Sequence, residues 1–203
     1  QYQYIKEEVL TKIEEVCENT AFSNGPYVRS FEKNFAKYCS VKSAVAVNSG
    51  TSALHLSMIA LGIGKYDEVI IPANTFIATA WAPSYVEATP VFVDCDPDTW
   101  QIDHEKIKKK ITDKTKAIIG VHLYGQPFDI GAVKKIADEY GLYLVEDAAQ
   151  AHGAKYNGER VGGFSEMACF SFYPGKNLGT YGEGGCITTN NGKYAGHLRS
   201  LRN

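Results

Sequence analysis

Short apolar runs rich in β-branched residues alternate with helical patterns along almost the whole chain, and this alternation limits the fold more than any other feature. The strand candidates are Ala44–Val47, Glu68–Ile71, Val91–Val93, Ala117–Val121, Tyr143–Glu146, Ala168–Phe172 and Cys186–Thr189. Helical patterns fill 51–61, 76–87, 103–111 and 129–140, two more lie near 4–18 and 28–38, and a last one starts near 193. Strands this short and apolar on both faces suit a parallel sheet buried on both sides. Their alternation with helices predicts an α/β fold, a mostly parallel seven-stranded sheet sandwiched by helices. Residues 1–40 read as an N-terminal helical segment and 41–203 as one large domain. Pro83 weakens the 76–87 helix, and Asn24-Gly25-Pro26 reads as a turn between the first two helices.

Composition narrows the partners. The chain has 203 residues, a formal net charge of −2, 44% hydrophobic and 22% charged residues, the balance of an ordinary globular protein. No bulk attraction to nucleic acid follows from such a charge. The run Lys106, Lys108, Lys109, Lys110, Lys114 and Lys116 has no interleaved aromatics and reads as a solvated helix face. Cys17, Cys39, Cys95, Cys169 and Cys186 are odd in number and widely spaced, with neither a CxxC pair nor a His-containing zinc spacing. No disulfide scaffold and no metal site are expected, and a reducing, cytoplasmic setting fits. No apolar run reaches about 18 residues, so no membrane span is expected. The first ten residues lack signal-peptide order. Without an initiator Met or a closing signal, the chain reads as a fragment of a longer protein.

In open α/β sheets ligands bind beyond the carboxyl ends of the strands, and three such junctions carry suspicious chemistry. The first strand runs into Asn48-Ser49-Gly50-Thr51-Ser52-Ala53-Leu54 and then a helix. Free amides at a helix start attract anions, Gly50 permits close approach, and Thr51 and Ser52 add hydroxyls. Plain capping by Ser49 or Thr51 explains the same residues. Neither a GxxxxGK[ST] loop nor a GxGxxG follows this strand, so a single phosphate suits the site better than a polyphosphate or a dinucleotide. The strand Leu142–Val145 runs into Glu146-Asp147-Ala148-Ala149-Gln150-Ala151-His152-Gly153. Asp147 stands where a carboxylate can pair with a cationic ring nitrogen, with Gln150 three residues on; a capping role for Asp147 and purely polar roles for Gln150 and His152 are the alternatives. The strand Ala168–Phe172 leads into Tyr173-Pro174-Gly175-Lys176-Asn177-Leu178-Gly179 and then Glu183-Gly184-Gly185. A lysine that attacks an aldehyde needs a fixed position, whereas most lysines are simply solvated. Ser171 is placed to reach a phosphate, and Gly184-Gly185 reads as a tight turn into the last strand. Phe76, after the second strand, offers either a stacking face or ordinary helix packing.

A phosphate loop, then an acid for a ring nitrogen, then a lysine on a Gly-rich turn is an order that matches pyridoxal 5′-phosphate (PLP). The segments NSGTSAL, IPANTFIAT, VEDAAQAHGA and SFYPGKNLGTYGEGG resemble those of the DegT/DnrJ/EryC1/StrS sugar aminotransferases, of the aspartate-aminotransferase fold (fold type I), over essentially the whole chain. The resemblance implies that 41–203 is the PLP-binding large domain and that a smaller C-terminal domain is absent. It implies that Lys176 is the catalytic Schiff-base lysine and that Asp147 partners the pyridine nitrogen. It further implies that Gln150 bonds the ring hydroxyl, that Gly50, Thr51 and Ser171 hold the phosphate, and that Phe76 stacks on the ring. His152 follows the family pattern without an assigned role. The implied reaction moves an amino group from an amino acid, glutamate by resemblance, through pyridoxamine 5′-phosphate to a nucleotide-linked keto-deoxysugar. The implied assembly is a homodimer with a shared active site.

SFYPGKNLG resembles the members that aminate a 3-keto-6-deoxyhexose on a dTDP carrier, with 4-keto amination a close second. Three rivals remain at this stage. A sugar dehydratase of the same family would carry histidine where Lys176 stands. A non-catalytic nucleotide-sugar-binding or regulatory module would not need Lys176, Asp147 and Gln150 together. A nicotinamide-dependent oxidoreductase would need the missing GxGxxG.

Overall fold

The computed structural model describes residues 2–203. Helices α1 (Tyr2–Glu18) and α2 (Pro26–Tyr38) precede β1 (Ser43–Val47), α3 (Gly50–Ala60), β2 (Glu68–Pro72), α4 (Ala78–Tyr85) and β3 (Thr89–Val93). Then come α5 (His104–Ile107), β4 (Thr115–Val121), α6 (Ile130–Tyr140) and β5 (Tyr143–Asp147). A small hairpin, β6 (Lys155–Tyr156) and β7 (Glu159–Arg160), leads to β8 (Met167–Ser171), β9 (Gly185–Thr189) and α7 (Gly192–Arg202).

Seven strands form one sheet in the order β1-β9-β8-β5-β4-β2-β3. Pairings of β2 with β3 and β4, of β4 with β5 and of β5 with β8 are parallel; β9 runs antiparallel to both β8 and β1. The expected mostly parallel sheet is therefore present, with β9 as its one reversed strand. Successive side chains of a strand point to opposite faces, and both faces here are covered. Ile70, Ile118 and Leu144 join Phe35, Phe128, Ile130 and Val133 of the α2 and α6 side in one core. Their neighbours Val69, Ile71, Ala117, Ile119 and Val145 join Leu54, Met58, Ala80 and Leu198 of the α3, α4 and α7 side in the other.

Two expected helices come out shorter. The 103–111 pattern is one α-turn, α5, capped by the Asp103 carboxylate, continuing as a 3₁₀ turn over Lys108–Lys110. The 76–87 pattern begins only at Ala78, which leaves Phe76 outside the helix, while Pro83 sits inside it near the carboxyl end. The hairpin went unforeseen: Asn157 and Gly158 take φ of 50° and 87°, the left-handed pair that a two-residue hairpin turn requires. Helix α1 buries none of its side chains. No helix among the described residues is long and apolar enough to cross a membrane.

Candidate active site

The carboxyl ends of β1, β2, β4, β5 and β8 open onto a cleft of about 630 Å³. Gly50, Thr51, Phe76, Asp147, Gln150, Ser171 and Lys176 all line it. Residues from sequence positions over 120 apart thus meet in one place, as the three junctions predict.

At the first junction the capping reading holds, and it is compatible with an anion at the helix start. Ser49 caps α3, its hydroxyl accepting from the Ser52 amide at 3.0 Å, while the helix start faces the cleft. Ser52 is the exception among the expected binding residues. Its amide is spent on the cap, its hydroxyl accepts from Ser49 at 3.1 Å, and it does not line the cleft. The loop is pressed against the neighbouring strands. A Cβ on Gly50 would lie 2.6 Å from the Ser171 Cβ, and one on Gly185 would run into the Ser49 carbonyl. Of the pair Gly184-Gly185, the second therefore serves close approach: it lies in β9, and neither residue is part of a turn.

At the second junction two adjacent carboxyls point to opposite faces of the sheet. Asp147 is buried and lines the cleft. Thr79 donates to its Oδ2 at 2.8 Å and the Ala149 amide to its Oδ1 at 3.2 Å. Because Thr79 spends its proton on Asp147, Thr75 donates to Thr79 across 2.7 Å. Burial pushes the Asp147 carboxyl above its usual range, and the bonds from Thr79 and Ala149 offset this only in part. A cation beside it would reverse the balance. Glu146, wholly buried, meets His122 Nε2 at 3.1 Å and accepts from the amides of Gly162 (2.9 Å) and Phe164 (3.1 Å) and from the Ser165 hydroxyl (2.8 Å). Burial alone would raise it, but His122 and these donors together hold it below the usual range. Gln150 accepts from the Tyr124 amide at 2.8 Å, which leaves its NH₂ for a ligand.

At the third junction the lysine turn closes on itself. The Lys176 amide donates to the Tyr173 carbonyl at 2.8 Å, and Thr180 bonds the Phe172 carbonyl through both amide and hydroxyl at 2.8 Å. Lys176 is half-buried at the cleft. Phe76 is 64% exposed, so core packing does not account for it, and a flat ligand would cover it. His152 does not line the cleft and lies against the lysine turn, bonded to Asn177. Sequence reasoning missed Thr75, Thr79 and Glu183. Glu183 lines the cleft, and Lys176 is the only cation among the described residues that does.

A helix start facing an open cavity, a buried acid short of a counter-charge, an exposed aromatic face and an amine define a cofactor-binding α/β protein. The pieces fit a phosphorylated, nitrogen-containing aromatic aldehyde, with Gly50 and Gly185 letting the α3 start pack closely against Ser171 and β9.

Comparison with known proteins agrees. The family model of the DegT/DnrJ/EryC1/StrS aminotransferases matches residues 3–203, and the chain belongs to that family. The dTDP-3-amino-3,4,6-trideoxy-alpha-D-glucose transaminase of Streptomyces venezuelae is 47% identical over 100% of this chain and 53% of its own length. The crystal structure of S. venezuelae DesV in complex with a ketimine intermediate superposes with a TM-score of 0.98 at 47% identity, covering 100% of this chain and 54% of that one. That of NtdA from Bacillus subtilis with bound cofactor PMP gives 0.90 at 38% identity, covering 95% and 43%. The architecture is thus that of the fold type I PLP-dependent aminotransferases, and the chain spans about half the length of the relatives it matches.

Proposed function

We propose that this chain is the large-domain part of a PLP-dependent aminotransferase that moves an amino group from an amino acid, glutamate by resemblance, to a nucleotide-linked keto-deoxysugar. The observation that carries the reading is the convergence of Lys176, Asp147 and the α3 start on one cleft. Bound there, PLP supplies an aldehyde that condenses with amines and a ring that takes up the electron pair left when a bond to the amino carbon breaks.

This chain's residues do the rest. The amides of Gly50 and Thr51 at the α3 start, with the Thr51 and Ser171 hydroxyls, hold the phosphate. Asp147, oriented by Thr79, keeps the ring nitrogen protonated. Gln150 donates to the ring hydroxyl, and Phe76 covers one ring face. With the cofactor in place, the free Lys176 amine would act as the base that takes the proton from the donor's α-carbon and would hand it to the aldehyde-derived carbon of the cofactor. Lysine at 176 supports transamination over the dehydratase reading.

The SFYPGKNLG segment, together with the dTDP-sugar relative, favours a 3-keto-6-deoxyhexose on a dTDP carrier. A homodimer with a shared site is part of the same reading. A phosphate placed where Lys176 is the sole cation among the described residues calls for positive charge from outside this chain. The five free cysteines support a cytoplasmic setting.

The test is the visible spectrum of the full-length protein with PLP, before and after glutamate. A visible band that appears with PLP and bleaches with glutamate supports the reading. No band in a folded sample sinks it and puts the non-catalytic sugar-nucleotide module first.

A further inference from the structure

His152 is the one polar residue of the Asp147 segment left without a task, and its surroundings are specific. The Asn177 side-chain amide donates to the His152 carbonyl at 3.1 Å. That contact fixes which way the amide points, so the Asn177 oxygen is the atom 2.7 Å from His152 Nδ1. An oxygen there accepts, so Nδ1 carries the proton. The imidazole ring packs on Phe170 and Phe172, with centroids 5.4 and 5.0 Å away. Its Nε2 is buried without a partner, a cost far smaller for a bare lone pair than for a charged N–H. Burial, and more weakly the Lys176 charge, depress the imidazole pKa against the opposing Asn177 side chain and Ser171 backbone, which favours the neutral ring.

Two reciprocal bonds therefore tie the segment that follows Asp147 to the residue next to Lys176. We propose that His152 and Asn177 form a clasp whose job is to position Lys176: it fixes the lysine turn against the segment carrying the ring-nitrogen acid before any cofactor arrives. The clasp acts through Lys176, so both are positioning residues. The inference rests on the reading of Lys176 as the residue that condenses with the PLP aldehyde, releasing one water. An amine held in place reacts far faster than one that must be found by diffusion, and a displacement of about 1 Å costs on the order of a hundredfold.

The test separates holding the cofactor from presenting the lysine. Pyridoxamine phosphate makes no covalent bond to Lys176 and reports on the cleft alone; PLP also reports on the lysine, through the visible band of the lysine-bound form. In the full-length protein, Asn177→Ala is expected to bind pyridoxamine phosphate within about twofold of wild type while the PLP band forms about tenfold more slowly or worse. His152→Phe keeps the ring packing and the backbone carbonyl and loses only the Nδ1 bond; it should show the same selective slowing to a smaller degree, and the double variant should be no worse than Asn177→Ala. Nitrogen NMR of the wild type should find His152 neutral, with the proton on Nδ1. A band that forms at the wild-type rate in Asn177→Ala overturns the clasp. So does a parallel loss of both ligands, or an Nε2-protonated or charged ring. If wild type binds neither form of the cofactor, the functional reading falls and takes the clasp's role with it; if it binds both and the variants behave like it, the clasp alone falls.

Discussion

Glu146 and Asp147 are neighbours on one strand, equally hidden from water, and they live in opposite circumstances. Glu146 faces the α6 side, where His122, two amides and a hydroxyl surround it and hold it ionised. Asp147 faces the α4 side, where one hydroxyl and one amide leave it under-compensated at the wall of a cleft. The first carboxylate has everything it needs from the fold and serves as a structural hub for the 162–165 loop. The second has no cation bonded to it among the described residues, a counter-charge that the proposed cofactor would supply. Burial alone says nothing about which acid is functional; the inventory of partners does.

The sharpest way to break this contrast is to exchange the losses. Glu146→Ala should cost about 3–5 kcal/mol of stability in denaturant melts, because it orphans His122 and three donors. Asp147→Asn should cost little or no stability, yet lower turnover of the full-length enzyme on the order of 10²–10³-fold. Equal stability losses in the two variants would end the distinction.

The contrast also has a pH signature of opposite sign in cofactor-free protein. Glu146 is held low in the folded state, so its contribution is present above the unfolded value of about 4 and is lost as pH falls through its lower folded value. Asp147 is held high, so its contribution is complete below that unfolded value and is lost as pH rises through its raised folded value. Stability against pH for Asp147→Asn, relative to wild type, should therefore climb over the range where Glu146→Gln shows no further change. Matching slopes would show that the two sites do not differ.

Smaller effects sharpen the cleft side. Phe76→Ala removes an exposed ring and should leave melting unchanged while weakening cofactor binding by about 0.5–1.5 kcal/mol, read by titration. Ser49→Ala removes only the α3 cap and should cost about 1 kcal/mol or less in melting, with no change in the lysine turn.

Much of this was legible in the residues. The seven strands announced themselves as short apolar runs, unbroken where both faces are buried as in β2 and β8, and the cleft residues because small, acidic and cationic groups fell at strand ends. What stayed hidden depends on contacts between distant segments. Thr79 reads as an ordinary helix residue until α4 is docked beside β5, and the reversal of β9 has no local signature. Gly185 looks like a turn glycine; only the packed Ser49 carbonyl shows what it makes room for. The hairpin at Asn157-Gly158 did carry a signal, but its arms are two residues long and polar, too short for the pattern to stand out.

The place of β9 in the sheet has a consequence for synthesis. Strand β1 lies at an edge and pairs with β9 alone, Ser43 opposite Thr189. As the polypeptide leaves the ribosome, β1 waits for nearly the whole of this chain before its partner exists, a separation that makes such pairing slow. The loop that opens α3 hangs from that waiting strand and rests its Ser49 carbonyl against Gly185. The start of α3 is therefore backed only once β9 has been made, and until then β1 has no partner strand among the described residues, an unpaired edge open to other chains.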